Sequence, residues 1–306
     1  MSTHSKSKPN GSFSFEFFPP KTDKGAARLE TERRTLAALG PAFFSVTFGA
    51  GGTTRSGTIT TVKETMEQTG IPAAPHLSCI EATSDSLHKM LADYRDNGVN
   101  RIVVLRGDLP EGMSSPGEFH HANELVAFIR EHYGDTFHLE VACYPETHPE
   151  APDPDTDLDN FANKVKAGAD SAMTQYFYNI DAYTDFVERA MARGVDIPIV
   201  PGIMPIIGYQ QLVRFSDACG ADIPRWIRKR LEYYQDDEAS LRAFGIDVVT
   251  HLCERLLAGG APGLHFYTLN RAEPTTTIWR NLGLPAAKAA SADGDSAALR
   301  DVASSR

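Results

Sequence analysis

Cysteine is scarce in this sequence, and what there is lies scattered. The chain of 306 residues has 4 cysteines, Cys79, Cys143, Cys219 and Cys253, with no C-x-x-C pair and no histidine pair at zinc-ligand spacing. That excludes zinc-ribbon and disulfide-scaffold classes and leaves free core thiols as the expectation. Long apolar runs are missing as well. Nothing approaches the roughly 18 residues that span a bilayer, and residues 1–11 are polar where a secretory signal needs an apolar stretch, so a cytoplasmic protein without a membrane partner is expected. Basic charge is short: 30 Lys and Arg face 40 Asp and Glu, a formal net charge of −10, which argues against nucleic acid as the partner. Any anionic ligand needs a local cluster of cations. The phosphate loop G-x-x-x-x-G-K-[ST], the zinc motif H-E-x-x-H and the nucleophile elbow G-x-S-x-G are also lacking, which removes P-loop NTPases, zinc proteases and serine hydrolases. No metal is expected; His120-His121 are adjacent, and adjacent residues do not face one site on a helix.

What is present is a repeat of short β-rich runs, each followed by a stretch with helical apolar spacing. The spacing predicts strands over 13–18, 43–48, 73–80, 101–105, 138–142, 171–177, 197–203 and 263–268. Helices are predicted over 26–39, 58–69, 84–97, 123–133, 158–167, 182–193, 210–218 and 239–257, with an extra helix and acidic turn over 225–238 whose Trp226, Ile227 and Leu231 read as packing residues. Runs such as Ile102-Val103-Val104-Leu105 are apolar throughout, as parallel strands buried on both faces are. Gly40, Gly70, Gly98, Gly134, Gly168 and Gly194 sit where left-handed helix C-caps belong. The predicted fold class is α/β, a single-domain (β/α)8 TIM barrel over 12–284, with disordered tails over 1–11 and 285–306. The rival, a doubly wound sheet, is disfavoured because Gly49-Ala50-Gly51-Gly52-Thr53-Thr54 lacks the last glycine of G-x-G-x-x-G.

Polar residues gather at or just past the ends of these strands. Glu16 interrupts Phe13-Ser14-Phe15-Glu16-Phe17-Phe18, Thr47 leads into the glycine-rich run, and His76 lies in Pro75-His76-Leu77. Arg106-Gly107-Asp108 follows the fourth strand, Tyr144-Pro145-Glu146-Thr147-His148 the fifth, and Tyr267-Thr268-Leu269-Asn270-Arg271 the eighth, while Gln175 is in the sixth. In a parallel barrel all strand C-termini share one face, so these segments converge on one mouth. A carboxylate among phenylalanines is costly unless paired or protonated, which marks Glu16 as a functional acid with a raised pKa.

On these residues, from about Phe13 to Leu284, the sequence resembles the methylenetetrahydrofolate reductase family. The blocks that carry the resemblance are Phe15-Glu16-Phe17-Phe18-Pro19-Pro20, Ser45-Val46-Thr47-Phe48-Gly49-Ala50-Gly51-Gly52, Ala74-Pro75-His76-Leu77, Leu105-Arg106-Gly107-Asp108, Tyr144-Pro145-Glu146-Thr147-His148-Pro149, Thr174-Gln175-Tyr176-Phe177, Pro201-Gly202-Ile203-Met204-Pro205 and His265-Phe266-Tyr267-Thr268-Leu269-Asn270-Arg271. The resemblance implies FAD at the barrel mouth, NADH or NADPH as co-substrate, and flavin-dependent reduction of 5,10-methylenetetrahydrofolate to 5-methyltetrahydrofolate by ping-pong hydride transfer. It implies Glu16 as catalytic acid and Asp108 as the carboxylate beside the flavin. Gln175, Phe215 and Arg271 match folate-contacting positions, and Thr47, His76, Arg106, Gly107, Asp108, Tyr144, His148, Asp157, Asn160 and Lys164 match positions that hold FAD. Asn163 stands where a relative carries an arginine near the cofactor diphosphate. The resemblance is to the short bacterial form, which leads us to expect no large regulatory domain and a homo-oligomer, as relatives are.

Chemically, the folate five-membered ring must open before its methylene carbon accepts hydride, which needs a proton on N10 and leaves an iminium at N5. Glu16 is expected to give the proton and Asp108 to stabilise the cation. Two rivals share these features: another FAD-dependent barrel such as a proline dehydrogenase, and a folate- or flavin-binding protein without turnover.

Overall fold

The computed structural model describes residues 11–48, 55–109, 112, 115 and 117–286. The glycine-rich run 49–54 and, within the expected tails, residues 1–10 and 287–306 lie outside the described residues. The strands are β1 (Ser12–Phe17), β2 (Phe43–Val46), β3 (Ala73–Ser78), β4 (Arg101–Leu105), β5 (His138–Cys143), β6 (Ser171–Thr174), β7 (Ile199–Val200), β8 (Gly202–Ile203) and β9 (Gly263–Tyr267). They pair in the order β7-β6-β5-β4-β3-β2-β1-β9-β8, and every pairing is parallel. The helices that return the chain are α1 (Asp23–Ala37), α2 (Arg55–Thr69), α3 (Ser84–Asp96), α4 (Ala122–Tyr133), α5 (Pro154–Lys166), α6 (Ile180–Ala192), α7 (Tyr209–Cys219), α8 (Arg225–Tyr233), α9 (Glu238–Ala258) and α10 (Thr275–Asn281). This is the expected (β/α)8 TIM barrel.

The seventh barrel strand departs from the sequence reading because it is split. Pro201 has no N–H to give a neighbouring strand, so β7 pairs with β6, β8 pairs with β9, and the two halves close the ring between them. The seam is held by side chains. The Gly202 N–H donates to Thr174 Oγ1 at 2.9 Å, and the Tyr267 hydroxyl donates to the Thr174 carbonyl at 2.7 Å. Gly202 is required here by space, since a Cβ would lie 2.1 Å from the Thr174 carbonyl oxygen and 2.7 Å from the Tyr267 ring.

Alternation along the strands sorts side chains into an outer and an inner set. Phe15, Phe17, Phe44 and Val46 belong to the large core beneath the helices, where Trp279 of α10 packs on Phe13 and Phe15 with ring centroids 5.0 and 5.8 Å away. Inside the barrel, Phe43, Ala74, Val103 and Met173 form a separate apolar layer. Below it, near the strand N-termini, Arg101 pairs with buried Glu140 while its guanidinium lies 4.4 Å over the Phe43 ring. Above it, polar groups open to the mouth. Helix α10 was not foreseen, and Trp226 is not the packing residue expected: Ile227 and Leu231 are fully buried, whereas Trp226 is exposed on α8. All four cysteines are free, the six glycines expected at helix ends all have positive φ, and among the described residues no helix is long and apolar enough to cross a membrane.

If the seam is as tight as these distances imply, Gly202→Ala will lower stability by about 3 kcal/mol, because neither a carbonyl nor a buried ring can give way cheaply. Urea unfolding followed by circular dichroism measures this, and a change within about 0.5 kcal/mol would show that the seam relaxes.

Candidate active site

Glu16 is the fifth residue of β1 and points into the barrel, together with Ser14. Its sequence neighbours Phe15 and Phe17 therefore face the opposite way, and the apolar setting expected for the carboxylate is corrected by its actual surroundings. Ser45 of β2 donates its hydroxyl to Glu16 Oε2 at 3.3 Å. His76 of β3 places Nε2 at 3.3 Å from the same oxygen, and His265 of β9 places Nε2 at 3.5 Å. Both imidazoles are buried. Both Nε2 atoms are close to the carboxylate but poorly aligned for a hydrogen bond to it. His265 is fixed from behind by Ser14, whose hydroxyl lies 2.7 Å from Nδ1.

Burial pushes the Glu16 carboxyl up, but His265 and then His76 push it further down, to about 2. The expectation of a raised pKa is thus overturned, for a physical reason: the polar contacts of the two imidazoles with the carboxylate together outweigh its desolvation.

A second compartment opens over β4 and β5, a cavity of ≈ 330 Å³ lined by Arg106, Gly107, Asp108, Tyr144, His148, Asp157, Asn160 and Lys164. That volume is at the lower end of small-molecule sites, roughly 300–1,000 Å³. Each part has a local cause. Gly107 adopts φ +82, and a Cβ there would meet Ser78 and Ile80 at under 3.0 Å, so the chain can turn into the cavity only without a side chain. The Asp157 carboxylate accepts the His148 N–H at 2.9 Å, and the His148 ring packs edge-on against Tyr144 at 4.6 Å, which fixes the loop after β5. Arg106 is paired with Glu150. Lys164 donates its ammonium to the Ala142 carbonyl at 2.5 Å, and among the described residues no carboxylate forms a salt bridge with it. Burial lowers its pKa, only partly opposed by Cys143 and Asp157.

The cavity also receives the N-terminus of α4 through His121, Ala122 and Asn123, with His121 at the N-cap making no side-chain capping bond. Unsatisfied N–H groups and the helix dipole favour an anion there. A half-buried lysine, an arginine and a helix N-terminus on one cavity form a donor set that fits the diphosphate of a dinucleotide, so the residues present are compatible with FAD.

The remaining expected positions divide. Thr47 and His76 stand on the Glu16 side; the Thr47 N–H donates to the Phe17 carbonyl at 2.9 Å. Gln175 lines a small groove with Tyr144, Glu146 and Cys219. Phe215 is exposed on α7, and Arg271 is exposed past β9; neither lines either cavity. Sequence reasoning missed Ser14, Ser45 and His265 around Glu16, and His121 to Asn123 at the cavity. Alternation from Glu16 to Ser14 was the available signal for the first of these.

The fold and mouth define a class: a parallel α/β barrel carrying a carboxylate–imidazole centre beside a cavity lined by a lysine, an arginine and a helix N-terminus. Comparison with known proteins gives the class a family. The sequence profile described as Methylenetetrahydrofolate reductase matches residues 2–283, and the chain belongs to that family of oxidoreductases. It is 40% identical over 271 residues to 5,10-methylenetetrahydrofolate reductase of Escherichia coli (strain K12), covering 89% of this chain and 90% of that one. It is 38% identical over 285 residues to Methylenetetrahydrofolate reductase (NADH) 1 of Arabidopsis thaliana, covering 89% of this chain and 48% of the relative. Its fold is similar, at a TM-score of 0.61 and 16% identity over 90% of this chain and 93% of the other, to a Clostridium thermocellum protein described as binding two copies of 5-methyl-5,6,7,8-tetrahydrofolic acid.

The depressed carboxyl makes stability depend on acid pH. A group that titrates near 2 when folded and 4.5 when free stabilises above 4.5 and loses that contribution as pH falls through 2. The shift corresponds to at most about 3 kcal/mol. The stability gap between wild type and Glu16→Gln, from urea unfolding, should therefore be widest near pH 5 and narrow by about 2–3 kcal/mol toward pH 2.5. A gap that does not change with pH would mean that the carboxyl is not depressed.

Proposed function

We propose that this protein reduces 5,10-methylenetetrahydrofolate to 5-methyltetrahydrofolate with NADH as donor and FAD as resident cofactor. The observation that carries the reading is Glu16 Oε2 held at 3.3 and 3.5 Å from two buried imidazoles at the mouth of a barrel of this family. FAD, when bound, supplies a two-electron carrier that takes hydride from the nicotinamide and gives it to the folate methylene, the two substrates taking turns. Lys164, Arg106 and the α4 N-terminus would hold its diphosphate, with Tyr144, His148, Asp157 and Asn160 completing the cavity wall.

The chain's own residues then perform the proton chemistry. Opening the folate ring requires a proton at N10. Glu16 is the group exposed toward the mouth, with 16% of its side chain accessible, while His265 behind it is fully buried. A ligand that covers the mouth removes the remaining solvent from Glu16, which raises its affinity for the proton it is to give. Asp108, on the cavity wall, supplies negative charge where the N5 iminium develops. NADH is favoured over NADPH because arginines are sparse at the mouth, Arg106 being already paired, and the Arabidopsis thaliana relative carries NADH in its name. A kcat/KM clearly higher with NADPH would overturn this choice.

The decisive experiment uses flavin absorbance under anaerobic conditions. Purified protein should be yellow and release FAD on denaturation; NADH should bleach it, and methylenetetrahydrofolate, but not the oxidation product of proline, should restore the colour. Protein that neither carries nor takes up FAD, or that is reoxidised by the proline product, would end the proposal.

Glu16→Gln separates the two halves of the cycle. Bleaching by NADH needs no proton on folate and should stay within about tenfold of wild type, while folate-driven reoxidation should fall by roughly 10²–10⁴-fold. Equal slowing of both halves would make Glu16 a structural residue.

A further inference from the structure

The end of β1 is tethered by the segment that follows β9. The Thr268 hydroxyl donates to the Glu16 carbonyl at 2.5 Å. Two residues on, the Asn270 side chain grips the Phe18 backbone on both sides: Oδ1 accepts the Phe18 N–H at 2.9 Å, and Nδ2 donates to the Phe18 carbonyl at 2.8 Å. The amide orientation is fixed by this pairing, because the flipped side chain would set donor against donor and acceptor against acceptor. These contacts span 252 residues of sequence and bridge two neighbouring strand ends at the mouth.

The gripping segment is itself held in an unusual shape. Leu269 and Asn270 are consecutive non-glycine residues with φ +52 and +54. That region is tolerated by asparagine and disfavoured for leucine, so the surroundings must impose it. Two bonds do so: the Arg271 N–H donates to the Thr268 carbonyl at 3.0 Å, and the Ala272 N–H donates to Glu32 Oε2 of α1 at 2.7 Å. The segment gripped is the exposed Phe18, followed by Pro19 and Pro20, which have no N–H with which to anchor themselves. Phe18 sits two residues past Glu16, an exposed aromatic ring at the rim of the site.

We propose that Asn270 is a positioning residue for the reaction: its amide clamp on Phe18 sets the height and direction of the Glu16-bearing strand end and presents the Phe18 ring to the flat heterocycle of the folate. This rests on the function proposed above. The clamp touches neither the reacting atoms nor the cavity over β4 and β5. Its removal acts on folate reduction and spares hydride transfer from NADH, since a displacement of about 1 Å at a catalytic group costs on the order of 10²-fold.

The test uses the intact FAD-loaded protein and Asn270→Gly, which removes the amide while allowing positive φ without strain, so the fold is kept. Hydrogen exchange, read on a peptide covering residues 14–20, reports the clamp independently of activity, because Phe18 carries the last amide hydrogen of that stretch. In the variant the Phe18 amide should exchange at least about tenfold faster, with the thermal midpoint down by less than about 5 °C. Folate-driven reoxidation of the flavin should slow by about 10–100-fold and bleaching by NADH should remain within about twofold. Asn270→Asp, which keeps the acceptor but sets a carboxylate oxygen against the Phe18 carbonyl, should slow the folate half at least as much. Unchanged exchange at Phe18 would overturn the clamp, and faster exchange with an unchanged folate half would overturn its positioning role. Wild-type protein that never reoxidises with methylenetetrahydrofolate would instead overturn the functional reading, while exchange would still decide the clamp.

Discussion

Closing the parallel ladder is the constraint from which the rest of the molecule follows. An open sheet of these strands would leave β9 without a neighbour beyond β1, and His265 and Tyr267 would lie at an edge in water. The ring closes only because the chain at Pro201 and Gly202 hands over from β6 to β9, with Gly202 contributing no Cβ and Tyr267 reaching across to the Thr174 carbonyl. Once closed, β9, β1, β2 and β3 are consecutive around one arc, and the inward side chains of His265, Ser45 and His76 converge on the Glu16 carboxylate. The site is a consequence of the register, which no single loop provides.

The interior is layered so that its charges do not cancel in the wrong places. The apolar layer of Phe43, Ala74, Val103 and Met173 separates the lower ion pair of Arg101 and Glu140 from the upper carboxylate and its imidazoles. Without that layer, Arg101 could serve Glu16 as a permanent counter-ion. A fixed guanidinium would hold the carboxylate ionised at every working pH and leave no labile proton nearby, since arginine does not give one up. Histidine partners, unlike arginine, are groups that can give up or take a proton.

Much of this was legible in the sequence, and the failures have physical causes. The apolar run 102–105 marks β4, because strands buried on both faces carry continuous β-branched and aliphatic residues, and 138–142, an alternating run, differs from β5 only by Cys143. The seventh strand was read through its proline, although a proline inside a barrel strand signals broken pairing. Glu16 was correctly marked as unusual and wrongly surrounded. Neighbours in sequence are opposite in a strand, so the phenylalanines flanking it say nothing about its environment, whereas His265 lies 249 positions away and becomes a neighbour only on closure. The α4 N-terminus at the cavity was hidden because His121 is no N-cap signature, and the absence of a capping side chain is what leaves its N–H groups open to a ligand.

The mouth is divided between two sets of polar groups, and the division bears on the function proposed for it. Over β4 and β5 the positive groups are a lysine, an arginine and a helix terminus. Over β1, β3 and β9 they are two imidazoles around a carboxylate. A permanent positive field suits a cofactor that must stay through both halves of a cycle. A titratable one suits a step that consumes a proton and needs it restored before the next turn. Merging the two would fail in either direction: a lysine beside Glu16 would hold the carboxylate ionised, and histidines alone around a diphosphate would release it as they deprotonated. The tether from Thr268 and Asn270 to the end of β1 fits this division, because only the proton-transferring side must hold a side chain at a defined height, while the cofactor side gains its grip from a field that falls off gently with distance.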